Sequence, residues 1–219
     1  MDSVNLQNSY IVLSHTGTAN CNSPSINNAQ SLTPSLNISN CTGDGTLKVV
    51  LSPGTGTATD GTGDSGAVSL EATVDNTVPT VSAGSPTPSS GDSTANFDFP
   101  VTFLGADTMA LSASDITVND GGGGTCDTPI VSGGNTTTPS VRLSNCTGNG
   151  TIGITINANT SSDLAGNQNL ASSASTTVTV SNSISCPTGY ISVTGNATYG
   201  TSDFCVMKYE AKLLYDADG

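Results

Sequence analysis

The segment Asn40-Cys41-Thr42-Gly43-Asp44-Gly45-Thr46 recurs, with one change, as Asn145-Cys146-Thr147-Gly148-Asn149-Gly150-Thr151. A second cysteine, Cys21 or Cys126, stands 20 residues before each motif cysteine, so all four obey one offset of 105 positions. A chain that repeats itself at about a hundred residues is a string of small domains, each limited to a small core.

The repeat extends beyond the cysteines. Leu6 and Ile11-Val12-Leu13 align with Leu111 and Ile116-Thr117-Val118, and Leu47 and Val49 align with Ile152 and Ile154. Leu36 and Ile38 fall near Val141 and Leu143. The offset then slips to 103, which pairs Asp60 with Asp163, and to 106, which pairs Val74 and Asn76 with Val180 and Asn182. Loops of different length between copies produce such slips.

Charged residues are 10% of the chain and aromatics 4%, and Gly, Ser, Thr and Asn dominate, so no long amphipathic helix can be drawn before residue 205. Apolar residues instead alternate, as in Phe97, Phe99, Val101 and Phe103, or Ile152, Ile154 and Ile156. Period two between Gly, Pro, Asn and Asp clusters reads as half-buried strands, and about seven such strands per hundred residues predict an all-β chain of sandwiches. A disordered Ser/Thr-rich linker is the competing reading, but disorder needs neither alternation nor a cysteine register.

Three segments follow: an incomplete repeat over 1–77, a complete one over 78–182, and a different module over 183–219. In the complete copy, strands are expected near 80–83, 96–104, 115–119, 126–131, 139–145, 151–157 and 175–181. The first copy lacks counterparts of the first two of these, which predicts an exposed core and an unpaired edge. Either the chain is a piece of a longer protein, or another molecule supplies the missing strands by donor-strand assembly.

The six cysteines form three local pairs, Cys21 with Cys41, Cys126 with Cys146, and Cys186 with Cys205. Even counts at even spacings are the disulfide pattern of exported proteins; sequence alone permits 15 connectivities, and the repeat favours local pairing. Residue 136 lies midway between Cys126 and Cys146, in the turn-like Gly133-Gly134-Asn135-Thr136, which would set the two cysteines opposite each other at the base of a hairpin. Metal binding by the thiols is disfavoured, because no Cys-x-x-Cys occurs and His15, the one histidine, has no counterpart in the second copy.

A net charge of −13 with four basic residues argues against nucleic acid and anionic lipid, which need a cationic face. One histidine and no matched nucleophile leave no Ser/His/Asp or Cys/His arrangement. The carboxylates sit in Gly-rich turns without aromatic neighbours, a poor setting for glycoside cleavage. Gly121 to Gly124 lacks the Gly-Lys-Ser/Thr of a phosphate loop. The expectation is therefore a non-enzyme. No apolar run is long enough to span a membrane, and residues 1–5 carry no signal-peptide pattern, so an export address is expected outside this segment.

Three stretches carry a family resemblance: Val74-Asp75-Asn76-Thr77-Val78-Pro79-Thr80-Val81, Leu111-Ser112-Ala113-Ser114-Asp115-Ile116-Thr117-Val118, and Asp163-Leu164-Ala165-Gly166-Asn167. Over residues 1–182 the chain resembles the bacterial Ig-like repeats of surface adhesins and other exported proteins. The first copy departs from the pattern, with Asp60-Gly61-Thr62-Gly63-Asp64 in place of the Asp-x-Ala-Gly-Asn loop. The resemblance implies tandem Ig-like sandwiches stacked end to end at the bacterial cell surface. In such a topology Asp75, Asp107, Asp163 and Asn167 lie in segments that meet at the repeat junction, and related repeats bind calcium there. Calcium would neutralise these oxygens and stiffen the joint. The competing reading has Asp75 and Asp163 capping turns through nearby amides.

From Cys186 onward the repeat stops and tyrosines gather. Asp203-Phe204-Cys205-Val206-Met207-Lys208-Tyr209-Glu210-Ala211-Lys212 resembles the opening strand of formylglycine-generating-enzyme-like domains, which share the C-type-lectin-like fold. The family's catalytic cysteines have no counterpart in these residues, so the resemblance implies architecture rather than activity. The expected function is an extracellular spacer that presents a C-terminal recognition module to a cell-surface or glycan ligand. The alternatives are a homo-assembling filament subunit and a carbohydrate-binding module of an exported enzyme.

Overall fold

The structure is a computed structural model that describes residues 3–58, 61–182, 184–193, 195, 199, 201 and 203–208. Its backbone groups into two units. Unit 1 comprises Met1–Val78 with Leu164–Asn167, and unit 2 comprises Pro79–Asp163 with Gln168–Gly219. The described residues are all-β, with two three-residue 3-10 turns and no α-helix.

Unit 1 contains β1 (Ser3–Val4), β2 (Ile11–His15), β3 (Ser25–Asn27), β4 (Ser35–Asn37), β5 (Gly45–Leu51), β6 (Gly56–Thr57), β7 (Ala67–Val68) and β8 (Ala72–Val74). The main sheet runs β2-β5-β7, with β8 also paired to β5. β3 and β4 form a separate hairpin, and β1 pairs with β6. Among the described residues Ala19, Leu47 and Val74 form its buried cluster, with Leu13, Cys21, Ile38 and Cys41 packed partly against them, and Leu6 is buried apart from it.

Unit 2 contains β9 (Thr80–Ala83), β10 (Ser90–Gly91), β11 (Phe97–Leu104), β12 (Thr108–Met109), β13 (Ile116–Gly121), β14 (Ile130–Ser132), β15 (Ser140–Leu143), β16 (Gly150–Ile156), β17 (Ser161–Ser162) and β18 (Val178–Val180). Two four-stranded sheets, β14-β15-β11-β9 and β10-β18-β16-β13, make up its body. All pairings within them are antiparallel except β10 with β18. Alternation along β11 sends Phe97, Phe99, Val101 and Phe103 inward and leaves Thr102 and Leu104 in solvent. These residues join Val141 and Leu143 of β15, Ile152, Ile154 and Ile156 of β16, and Val178 and Val180 of β18 in one core. Burying a phenyl or branched aliphatic side chain contributes about 1.5–3 kcal/mol, so this core is the main source of stability in unit 2.

Three expected strands are shorter than the pattern suggests, the one expected over 139–145 forming at Ser140–Leu143. The strand expected over 126–131 forms only at Ile130–Ser132, because Pro129 has no N–H to give to the ladder. The strand expected over 175–181 narrows to Val178–Val180. Upstream of it, Ser175 Oγ accepts the Ile154 N–H at 2.9 Å, so a side chain takes a place that a ladder carbonyl would hold. Ser69 does the same for Val49 N–H at 2.8 Å in unit 1.

Beyond β18, β19 (Tyr190–Val193) and β20 (Phe204–Met207) pair antiparallel, with Cys186 bonded to Cys205. Tyr209, Glu210, Ala211 and Lys212, part of the lectin-like resemblance, lie outside the described residues.

Candidate functional site

The repeated cysteine motif builds the same local structure twice. In unit 1 the β3/β4 hairpin pairs Ser25 with Asn37 and Asn27 with Ser35, and the same register continues to an isolated bridge between Asn20 and Thr42. Asn20 and Thr42 exchange both backbone hydrogen bonds, at 2.9 and 2.7 Å. The next facing pair, Cys21 and Cys41, is therefore a non-hydrogen-bonded pair, the closer of the two kinds in an antiparallel ladder. A disulfide joins it, with the Cα atoms 4.0 Å apart. Unit 2 repeats the arrangement at Thr125–Thr147 and Cys126–Cys146. The hairpin placement that the midpoint residue predicted is what forms.

Past each motif cysteine the chain turns sharply. Asn40 and Asn145 adopt φ of 53° and 50°, and Gly43 and Gly148 adopt 67° and 74°. At the two glycines a Cβ would stand 2.1 Å from the Thr18 carbonyl oxygen and 2.2 Å from that of Gly123. Backbone conformation and close approach thus both exclude a side chain there.

This turn holds the strand end that leaves each repeat. In unit 1 the Asn76 N–H donates to Asp44 Oδ1 at 2.6 Å, and Asn76 Nδ2 donates to Gly43 O at 2.6 Å. Thr77 Oγ1 donates to Asp44 Oδ2 at 2.7 Å. In unit 2 the Asn182 N–H donates to Asn149 Oδ1 at 2.6 Å, and Asn182 Nδ2 donates to Gly148 O at 2.5 Å and Cys146 O at 3.1 Å. Asn182 Oδ1 also accepts the Ser93 N–H at 2.5 Å. Each repeat therefore clamps its outgoing chain with an Asn side chain laid on the Cys-Thr-Gly-Asx turn. The acceptor is a carboxylate in unit 1 and an amide in unit 2. The Asn76 amide, and after it the Thr77 hydroxyl, hold the Asp44 carboxyl below the ordinary carboxylate value.

The residues proposed for calcium are divided between the units. Asp75 and Asn167 belong to unit 1, and Asp107 and Asp163 to unit 2. Asp75 Oδ1 accepts the Thr77 N–H at 3.0 Å, the turn-capping role that competed with ligation. Asn167 presents its Nδ2 to the Asp75 carbonyl at 3.0 Å. An amide nitrogen is a donor and cannot ligate a cation, so a calcium ion at Asn167 would have to be held through its Oδ1. The Asp107 N–H donates to Ser162 O at 2.9 Å. Among the described residues no three His, Cys, Asp or Glu side chains gather into a metal-holding group. His15 keeps its Nε2 buried with no hydrogen-bond partner in the structure.

Of the two acidic residues in the divergent loop of the first copy, Asp60 lies outside the described residues. Asp64 accepts hydrogen bonds from the Thr55 hydroxyl and from the Gly54 and Thr55 N–H groups. The Thr55 hydroxyl, above all, lowers its pKa.

Sequence reasoning missed Asn169. It is 1% exposed, and its Oδ1 accepts the N–H groups of Thr160 and Ser161, at 2.9 and 2.7 Å, and both their hydroxyls. Its Nδ2 donates to Leu170 O at 2.9 Å. A saturated, buried amide of this kind organises a loop and has no lone pair to spare for chemistry. The signal was an Asn two residues past the Asp-x-Ala-Gly-Asn stretch, in a chain where Asn is too common to stand out. No family model, curated protein or solved structure matches the chain.

Proposed function

We propose that the chain is a non-catalytic spacer segment of an exported bacterial surface protein, built from Ig-like repeats and carrying a recognition module at its C-terminal end. Three disulfides belong to an oxidising environment. Among the described residues no helix is long and apolar enough to cross a membrane. The sheet orders of unit 2 support the Ig-like reading: β9-β11-β15-β14 parallels an ABED sheet, and β18-β16-β13 parallels a GFC sheet to which β10 adds an edge strand.

The observation that carries the reading is the repeated clamp. A spacer must deliver its chain from one module to the next in a set direction, and a side chain that ties the outgoing residues to the turn of its own module does this. A clamp rebuilt in both copies, with Asp exchanged for Asn at the acceptor, is maintained for geometry rather than for charge. Module exchange tests the reading. Replacing residues 78–182, within the exported protein, by an unrelated sandwich of equal length should preserve surface display and adhesion. Loss of adhesion with display intact would assign binding to the repeats themselves and end the spacer reading.

A further inference from the structure

In unit 2 a strand of the incoming chain lies beside the strand that leaves, and the two run in the same direction. β10 pairs with β18 in parallel, Ser90 facing Thr179 and Gly91 facing Val180. The Thr179 N–H donates to Ser89 O at 3.0 Å, and the Ser181 N–H donates to Gly91 O at 2.9 Å. In a parallel pair the start of one strand and the end of the other lie at opposite ends. Tension along the chain therefore draws β10 backwards and β18 forwards, and it loads their evenly spaced bonds together instead of opening them one by one. Tension at Pro79 reaches β10 once β9 has parted from β11, while the outgoing side is loaded at Asn182 from the start.

The Asn182 side chain lengthens this patch. Its Oδ1 accepts the N–H of Ser93, two residues past β10, at 2.5 Å. Its Nδ2 donates to Gly148 O and Cys146 O, and its backbone N–H donates to Asn149 Oδ1. One residue thus ties the outgoing chain to the incoming segment on one side and to the cysteine turn on the other. The turn is held covalently, because Cys146 is bonded to Cys126. A residue that only closed the sandwich could stand at any edge, whereas Asn182 stands where tension leaves the repeat.

We propose that unit 2 bears tension, with the β10/β18 pair as its mechanical lock and Asn182 as the pin of that lock. Under load the pair slips by about one strand residue, about 3.3 Å, before its bonds fail together. The Phe core is still packed at that point, so its contacts do not set the rate of failure. After failure, the Cys126–Cys146 bond keeps the hairpin between its two cysteines from extending. The spacer reading concerns where the chain leads and requires no resistance to force. This proposal goes beyond it, and pulling on the chain decides it whatever module exchange shows.

The test stretches the full chain from its two ends in optical tweezers. The unit 2 event is the one whose extension grows by about 70 Å when Cys126 and Cys146 are both replaced by Ser, since the bond spans 20 residues of roughly 3.5 Å each. Asn182→Ala should speed unit 2 unfolding at a fixed force by roughly tenfold or more. Phe99→Ala, although it costs more in chemical denaturation, should change that rate by less than about threefold. A residue that merely stabilised the fold would give the opposite order. If Asn182→Ala unfolds unit 2, the force dependence of the unaltered chain still decides. An activation length of about 3 Å supports the lock, and one of about 7 Å or more, two strand residues, means peeling and overturns it. Equal or greater acceleration by Phe99→Ala, or none by Asn182→Ala, would overturn it as well.

Discussion

At the residue scale the two exit clamps differ by one functional group. Asp44 and Asn149 accept from equivalent backbone amides, but only Asp44 can be protonated. Its folded-state pKa is lowered, so the stabilisation it gives is present above the ordinary value of 3.8 and is lost as the pH falls through the lower folded value. Asp64 acts in the same direction. We expect Asp44→Asn to flatten the acid limb of unit 1 unfolding, and Asn149→Asp to introduce one into unit 2, followed by denaturation between pH 2 and 6. Asn182 makes more bonds than Asn76 and receives the Ser93 N–H as well. Asn182→Ala should cost about 1–3 kcal/mol in chemical denaturation, because partly buried partners are left unsatisfied. The repeat aligned Asn76 with Asn182 in the sequence, yet not their role. The groups they bind lie more than thirty residues away, and only folding brings them together.

At the element scale, β11 is the strand that carries the core of unit 2, and the disulfide hairpin is the device that both units share. β11 was legible from alternation alone, since Phe97, Phe99, Val101 and Phe103 can share one face only in a strand. Phe99 is wholly buried in the core, so Phe99→Ala should destabilise unit 2 by about 3–5 kcal/mol in the same measurement. The hairpins were legible from the midpoint of the cysteine spacing. Reduction of Cys126–Cys146, or its replacement by two serines, should cost roughly 3 kcal/mol in the chain-entropy view, read as a lowered denaturation midpoint. What the pattern hid was where strands stop. Pro129 delays β14, and Ser69 and Ser175 place hydroxyls in the ladder, details that apolar periodicity does not encode.

For the whole molecule, the two units are unequal in core size. Among the described residues unit 2 buries fifteen hydrophobic side chains in one cluster, whereas the buried cluster of unit 1 holds three. Hydrophobic burial is the dominant favourable term, so unit 1 should unfold at a lower temperature than unit 2. Scanning calorimetry is expected to resolve two transitions, with Phe99→Ala moving only the upper one and Asp44→Asn only the lower. A single transition unaffected by which unit carries the substitution would show the units to be energetically coupled.

The sequence by itself determined the all-β class, the period of the repeat and the strands whose apolar residues alternate, and it favoured the local cysteine pairs that form. Each of these depends on spacing along the chain, which a reader of the sequence can measure. Tertiary structure alone decided that the outgoing Asn lies on the Cys-Thr-Gly-Asx turn, that Asn167 faces Asp75 with its nitrogen, and that Asn169 fills its own hydrogen-bonding capacity. Polar side chains choose partners by proximity in space, and their identities in sequence carry no record of which distant backbone group will be near.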